Sequence, residues 1–123
     1  MADIVYDKVE VKNFCVIIRS FYGSVETQEV LDSFLHMKDS LICKNVIGIV
    51  TDFETAKLNF RLPDIQKVIK YINSEPMYEH IKLAIIVDTP GKTVFPIMAQ
   101  TLLKNAKLKP FTTLKAAMQW ICN

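Results

Sequence analysis

Glycine and histidine are scarce in this chain of 123 residues, which has three of one and two of the other, with a single tryptophan. His36 and His80 have no acid or cysteine at a convincing ligand spacing, so neither reads as part of a metal centre. The three cysteines, Cys15, Cys43 and Cys122, are far apart and form no C-x-x-C pair, which excludes a zinc or dithiol motif. An odd number of scattered thiols predicts a reduced, cytosolic setting, with Cys15 acting as a small buried hydrophobe. Charge of one sign is also lacking. The balance of 15 basic against 13 acidic residues leaves +2, too little to predict nucleic-acid binding. Lys104, Lys107, Lys109 and Lys115 cluster late, but with no aromatic among them until Phe111 they read as a solvated face. No apolar run reaches the length of a membrane span, and Met1 to Glu10 lacks the basic region and apolar core of a secretion signal. The expectation is a soluble, cytoplasmic protein with no transmembrane segment.

Hydrophobic residues make up 50% of the chain and charged ones 23%, an ordinary globular balance, and the length suits one domain over residues 1–123. Ile4 to Val11 alternates in part and Phe14 to Phe21 is a dense β-branched run, with Lys12 and Asn13 between them as a turn. This predicts an antiparallel hairpin with a buried second strand. Gly23 and Ser24 read as the strand's end. Ser24 is then the expected cap of a helix from about Val25 to Asp39, with Val30, Leu31, Phe34 and Leu35 inward. Val46 to Thr51 is the next strand, followed by Asp52.

Pro63 suits the opening of a second helix, whose inner stripe is Ile65, Val68, Ile69 and Ile72; Ser74 to Pro76 closes it. Leu83 to Val87 is a third core strand. Pro96 predicts a helix start there rather than at Pro90, leaving Thr89 to Val94 as a loop. Leu108 to Phe111 reads as an edge strand. Thr112 or Thr113 then caps a final helix with Leu114, Ala117, Met118 and Ile121 inside. Strands separated by helices pair in parallel through right-handed crossovers. The fold class is therefore α/β: a mixed sheet, an antiparallel hairpin followed by parallel βα units, helices packed on the sheet.

This order resembles the STAS fold, and four stretches resemble the SpoIIAA-like family of small bacterial domains. They are Gly23 to Glu29, Gly48 to Asp52, Lys82 to Pro90, and Phe111 to Ile121 with its Leu-x-x-Ala-x-x-Trp-Ile pattern. The resemblance implies a STAS-like fold related to regulators and to CRAL-TRIO lipid carriers, and no established reaction. STAS antagonists of anti-sigma factors are similar in carrying a phosphorylated serine in an Asp-Ser-Ser-Gly segment before their second helix. The corresponding stretch here is Asn59, Phe60, Arg61, Leu62, Pro63, Asp64. It has no hydroxyl to phosphorylate, which argues against a kinase-driven switch.

Asp52 and Asp88 each follow a core strand and would meet at the carboxyl edge of a parallel sheet, where open α/β folds bind ligands. Such a pair suits magnesium in receiver domains, but the acidic pair a receiver needs after its first parallel strand is missing from Ser20 to Ser24. Both acids also suit the plainer role of satisfying loop N–H groups. Gly91, Lys92 and Thr93 echo the end of a phosphate loop. The glycine required five residues earlier is Ile86, so Lys92 remains at most an anion contact. Ser24 and Ser74 lie in cap contexts, and no nucleophilic triad is readable.

Apolar loop residues are the remaining signal. Phe53, Phe60 and Leu62 precede the second helix, and Val94, Phe95, Ile97 and Met98 begin the third. Facing one another, they would line an apolar pocket or form a patch for a protein partner. The leading expectation is a non-enzymatic regulatory module with a protein partner, a homodimer being compatible with it. The alternative is a carrier or sensor of a small apolar ligand such as a lipid. Asp52, Phe53, Phe60, Asp88, Lys92, Phe95 and Met98 are the candidate contacts, with no cofactor, metal or nucleic acid expected.

Overall fold

The computed structural model describes residues 2–42, 44–88, 96–97 and 99–123. The first strand, β1 (Ala2–Val11), turns through Lys12 and Asn13 into β2 (Phe14–Val25), with Val11 opposite Phe14 across the turn. Two residues suffice because Lys12 adopts φ 58, the left-handed conformation such tight hairpins require. Contrary to the sequence expectation, β2 does not end at Gly23 and Ser24. Gly23 takes φ 92, a bend the ladder tolerates because residues 23–25 are paired on the far side.

Helix α1 (Thr27–Ser40) starts two residues later than expected, and the residue at its N-cap is Glu26 rather than Ser24. The Glu29 carboxylate accepts from the Glu26 N–H at 3.0 Å and from the Ala2 N–H at 2.7 Å, tying the helix start to β1. Its buried face is Val30, Ser33, Phe34 and Met37, which corrects the assignment of Leu31 and Leu35 to the core. Leu35 is exposed, because the helix meets the sheet about one position further round.

Strand β3 (Val46–Asp52) includes Asp52 as its last residue. After three residues the chain continues in the same direction as β4 (Ala56–Leu58), a short strand absent from the sequence reading. β3 pairs with residues 15–20 of β2, and β4 takes over along residues 23–25. Helix α2 (Leu62–Ser74) follows, with Pro63 in its first turn and Asp64 accepting from the Arg61 N–H at 2.9 Å. A 3₁₀ turn, Pro76–His80, leads to β5 (Lys82–Ile86). Residues 96–97 and 99–102 are helical and form α3. Strand β6 (Lys107–Phe111) precedes α4 (Leu114–Cys122), where Thr113 accepts from the Ala116 N–H at 3.1 Å.

The sheet order is β1-β2-β3-β5-β6, with only the β1–β2 pair antiparallel. Because the parallel strands advance in one direction, right-handed crossovers place their connecting helices on one face. That face carries the larger core, including Ile17, Phe21, Phe34, Ile49, Ile69, Tyr78 and Leu83. α4 comes after the last strand and covers the other face, where Ala117 and Ile121 meet Val16, Val50, Ala84 and Ile86. Leu114, expected inside, is exposed at the start of that helix. Among the described residues, no helix is long and apolar enough to cross a membrane.

Candidate functional site

A row of side chains crosses the sheet on the larger-core face: Tyr6, Arg19, Thr51 and Ile85 are register partners on β1, β2, β3 and β5. Arg19 occupies the inward position between Ile17 and Phe21 and is 3% exposed. Its Nε donates to Thr51 Oγ1 at 2.7 Å and its Nη1 to Ser33 Oγ at 3.1 Å. Ser33 Oγ also shares a hydrogen bond of 2.8 Å with the Tyr6 hydroxyl, so α1 is locked to β1 and β2 through one small polar cluster. The guanidinium lies 4.1 Å from the Phe34 ring centroid and 5.5 Å from that of Phe21, a stacking geometry that arginine favours.

A buried arginine ordinarily meets a carboxylate. Among the described residues none contacts Arg19, and loss of water pushes its guanidinium from 12.5 down to about 10. It therefore stays charged at neutral pH and bears the cost of its burial.

Arg19 and Thr51 form part of the floor of a cavity of about 80 Å³ between the sheet and the helical layer. Leu83, Ile85 and Leu108 extend that floor. α1 contributes Val30 and Phe34, and α2 contributes Ile65, Val68, Ile69 and Ile72. Pro96 and Ala99 close one side and Phe53 another. Thr27, Leu58, Phe60 and Asp64 line it too, and all four are half-buried, which places the mouth between the starts of α1 and α2. The wall is thus apolar except for Arg19, Thr51, Thr27 and Asp64. Backbone hydrogen bonding from Arg61 holds the Asp64 carboxyl below its usual range.

The candidate residues separate. Phe53 and Phe60 both line the cavity, with ring centroids 6.2 Å apart. Leu62 and Ile97, expected with them, are exposed and do not. Asp52 and Asp88 stand at the carboxyl edge of the sheet and are not among the lining residues; Asp52 Oδ1 accepts from the Glu54 N–H at 2.8 Å. Lys92, Phe95, Met98, Cys43 and the Thr89 to Val94 loop lie outside the described residues. Cys15 is buried, as expected, and Cys122 exposed. His36 is exposed and packs on the Tyr6 ring at 4.8 Å. Among the described residues, no three histidine, cysteine or acidic side chains are grouped to hold a metal.

Arg19 was not legible as a site residue from composition or motif. The available signal was alternation: an arginine in phase with Cys15, Ile17 and Phe21 points inward from a central strand.

No protein-family model matches the chain, and no curated protein matches it. Among solved structures, the chain is similar to an uncharacterized DUF3478-family protein with a SpoIIAA-like fold from Shewanella loihica PV-4. The two share 14% identity at a TM-score of 0.70, over 99% of this chain and 96% of the other. At that identity the likeness establishes the fold: a SpoIIAA-like, STAS-type α/β sheet.

Proposed function

From the SpoIIAA-like fold as premise, we propose that this protein is a ligand-binding module that works by binding rather than catalysis. Its ligand is a small molecule, largely apolar, held between the sheet and α1 and α2. The observation that carries this reading is the cavity itself, lined almost wholly by aliphatic and aromatic side chains from the helices and strands and reached through a half-buried mouth. Interiors are normally packed to crystal density, so a void of this size left in a small core is a feature to be explained by an occupant. Phe53 and Phe60 are its aromatic contacts, and Lys92, Phe95 and Met98 remain candidate contacts from the sequence alone. Asp52 and Asp88 serve the loops at the sheet edge in this reading.

Methyl NMR during titration with neutral 1-hexanol tests it. Isoleucine, valine and leucine signals from Ile65, Val68, Ile69 and Leu83 should shift together and saturate. A Val68→Phe variant, which fills the space from α2, should lose those shifts while remaining folded. Absence of any saturable shift in the wild type overturns the reading.

The regulatory, partner-binding role is a second reading, and a different observation supports it. α4 covers the β3 to β6 side of its face, while Val5, Phe14 and Tyr22 on β1 and β2 are 48%, 49% and 45% exposed on that same face. A homodimer joined there predicts a mass that rises with concentration in light scattering and stays monomeric in a Tyr22→Lys variant. A monomer throughout removes the homodimer.

A further inference from the structure

We infer that the cavity takes a small monocarboxylate, whose head pairs with the Arg19 guanidinium while its apolar part fills the space beside α2. This rests on the cavity being a ligand site and adds the chemistry of the ligand. Arg19 holds a positive charge inside an apolar wall with no carboxylate against it among the described residues. Of its five N–H groups, Nε–H and one on Nη1 reach Thr51 and Ser33, and the rest have no acceptor among the described residues. Both of those acceptors are neutral hydroxyls, so the charge itself remains uncompensated.

An anion that brings its own charge into this space removes that deficit. The planar fork of a guanidinium matches the two oxygens of a carboxylate. One positive charge is met by one negative charge, which favours a monoanion over a phosphate ester. Size narrows the class further. A cavity of about 80 Å³ has room for roughly five to eight water-sized atoms. That is a short aliphatic or compact aromatic acid rather than a full-length fatty acid. Asp64 places negative charge at the mouth, where Arg61 N–H holds it at 2.9 Å. The head group therefore belongs at the inner end and the tail toward the mouth.

The decisive experiment compares hexanoate, 1-hexanol and hexylamine on the full chain at pH 7, by calorimetry and by the same methyl signals. Hexanoate should bind at least tenfold more tightly than 1-hexanol, with hexylamine weakest. Because the charge is buried, that preference should persist at about 0.5 M salt, where attraction by surface lysines is screened. An Arg19→Met variant should bind hexanoate and 1-hexanol alike, and Arg19→Lys should keep part of the preference.

Equal affinity of the wild type for acid and alcohol overturns the inference and leaves the cavity reading standing. Binding of none of the three overturns both. A preference for hexanoate that survives in Arg19→Met, or vanishes with salt, also overturns the inference. Should Arg19→Met fail to fold, the acid-to-alcohol ratio of the wild type decides alone.

Discussion

Replacing Arg19 with methionine should make the protein more stable, although it removes two hydrogen bonds from the core. Burial moves the guanidinium from 12.5 to about 10. At about 1.4 kcal/mol per tenfold change, the folded state bears about 3 kcal/mol to keep the charge inside. The sign follows from the depressed value of a cation. Below pH 10 both folded and unfolded chains hold the proton, so the full cost is present at neutral pH; it is relieved only as pH rises beyond 10. Methionine is shorter, its terminal methyl reaching about as far as the arginine Nε, and its sulfur suits the aromatic surroundings of Phe34 and Phe21. Ser33 keeps its 2.8 Å bond to Tyr6. Thr51 loses its partner, and with the weaker stacking this returns about 1–2 kcal/mol. The net expectation is a gain of about 1–2 kcal/mol, or roughly 3–8 °C in melting temperature. Urea denaturation checks it through a higher midpoint at unchanged slope. An Arg19→Met/Thr51→Val double variant should gain more, since no orphaned hydroxyl remains. A loss of about 2 kcal/mol or more in both variants would refute the reasoning and make Arg19 a structural tie between α1 and the sheet. A gain marks a residue that costs stability where it stands, as binding residues commonly do.

Three further outcomes follow from the same structure. The Tyr78 hydroxyl is buried beside that of Tyr71 without a well-formed hydrogen bond, so Tyr78→Phe should raise stability by about 1 kcal/mol. Burial holds that phenol well above its ordinary 10.0, so the wild type loses further stability as pH rises past 10, where the unfolded chain ionises Tyr78 and the folded chain resists doing so. Urea midpoints of Tyr78→Phe should accordingly fall less than those of the wild type across alkaline pH, and an identical fall rejects the assignment. Lys12 at φ 58 carries left-handed strain, so Lys12→Asn should add about 0.5–1 kcal/mol to the hairpin; a loss in the thermal melt contradicts this. A Cβ at Gly48 would collide with the Ile121 Cγ2 methyl and lie 2.9 Å from its Cδ1. Gly48→Ala should therefore cost about 1–3 kcal/mol, and less when Ile121 is already alanine. Additive losses in that double-mutant cycle refute the contact.

Much of the architecture was legible because local rules and tertiary packing agree in this chain. Pro63 sits in the first turn of α2, where a missing N–H costs nothing, and Thr113 caps α4 by a contact three residues long. The β-branched runs at Phe14, Val46 and Leu83 are buried strands, as their density implies. Misreadings arose where two local signals competed. Gly23 and Ser24 look like a terminus, yet β4 arrives to pair them and the strand continues. At three residues, β4 is too short to show any periodicity. Leu31, Leu35 and Leu114 satisfy a helical stripe, but the angle at which each helix meets the sheet selects another.

By itself the sequence determined the α/β class, the hairpin, the positions of the core strands and the apolar character of α2. Those follow from side-chain periodicity and turn chemistry within a few residues. Only the tertiary structure decided that Arg19 lies opposite Thr51 and beneath Ser33, that no described carboxylate reaches it, and that a space remains beside it. Each of these depends on which distant segments come together, and a sequence lists neighbours along the chain rather than across it. An inward arginine can be read from alternation; an arginine without a counter-charge is a property of everything packed around it.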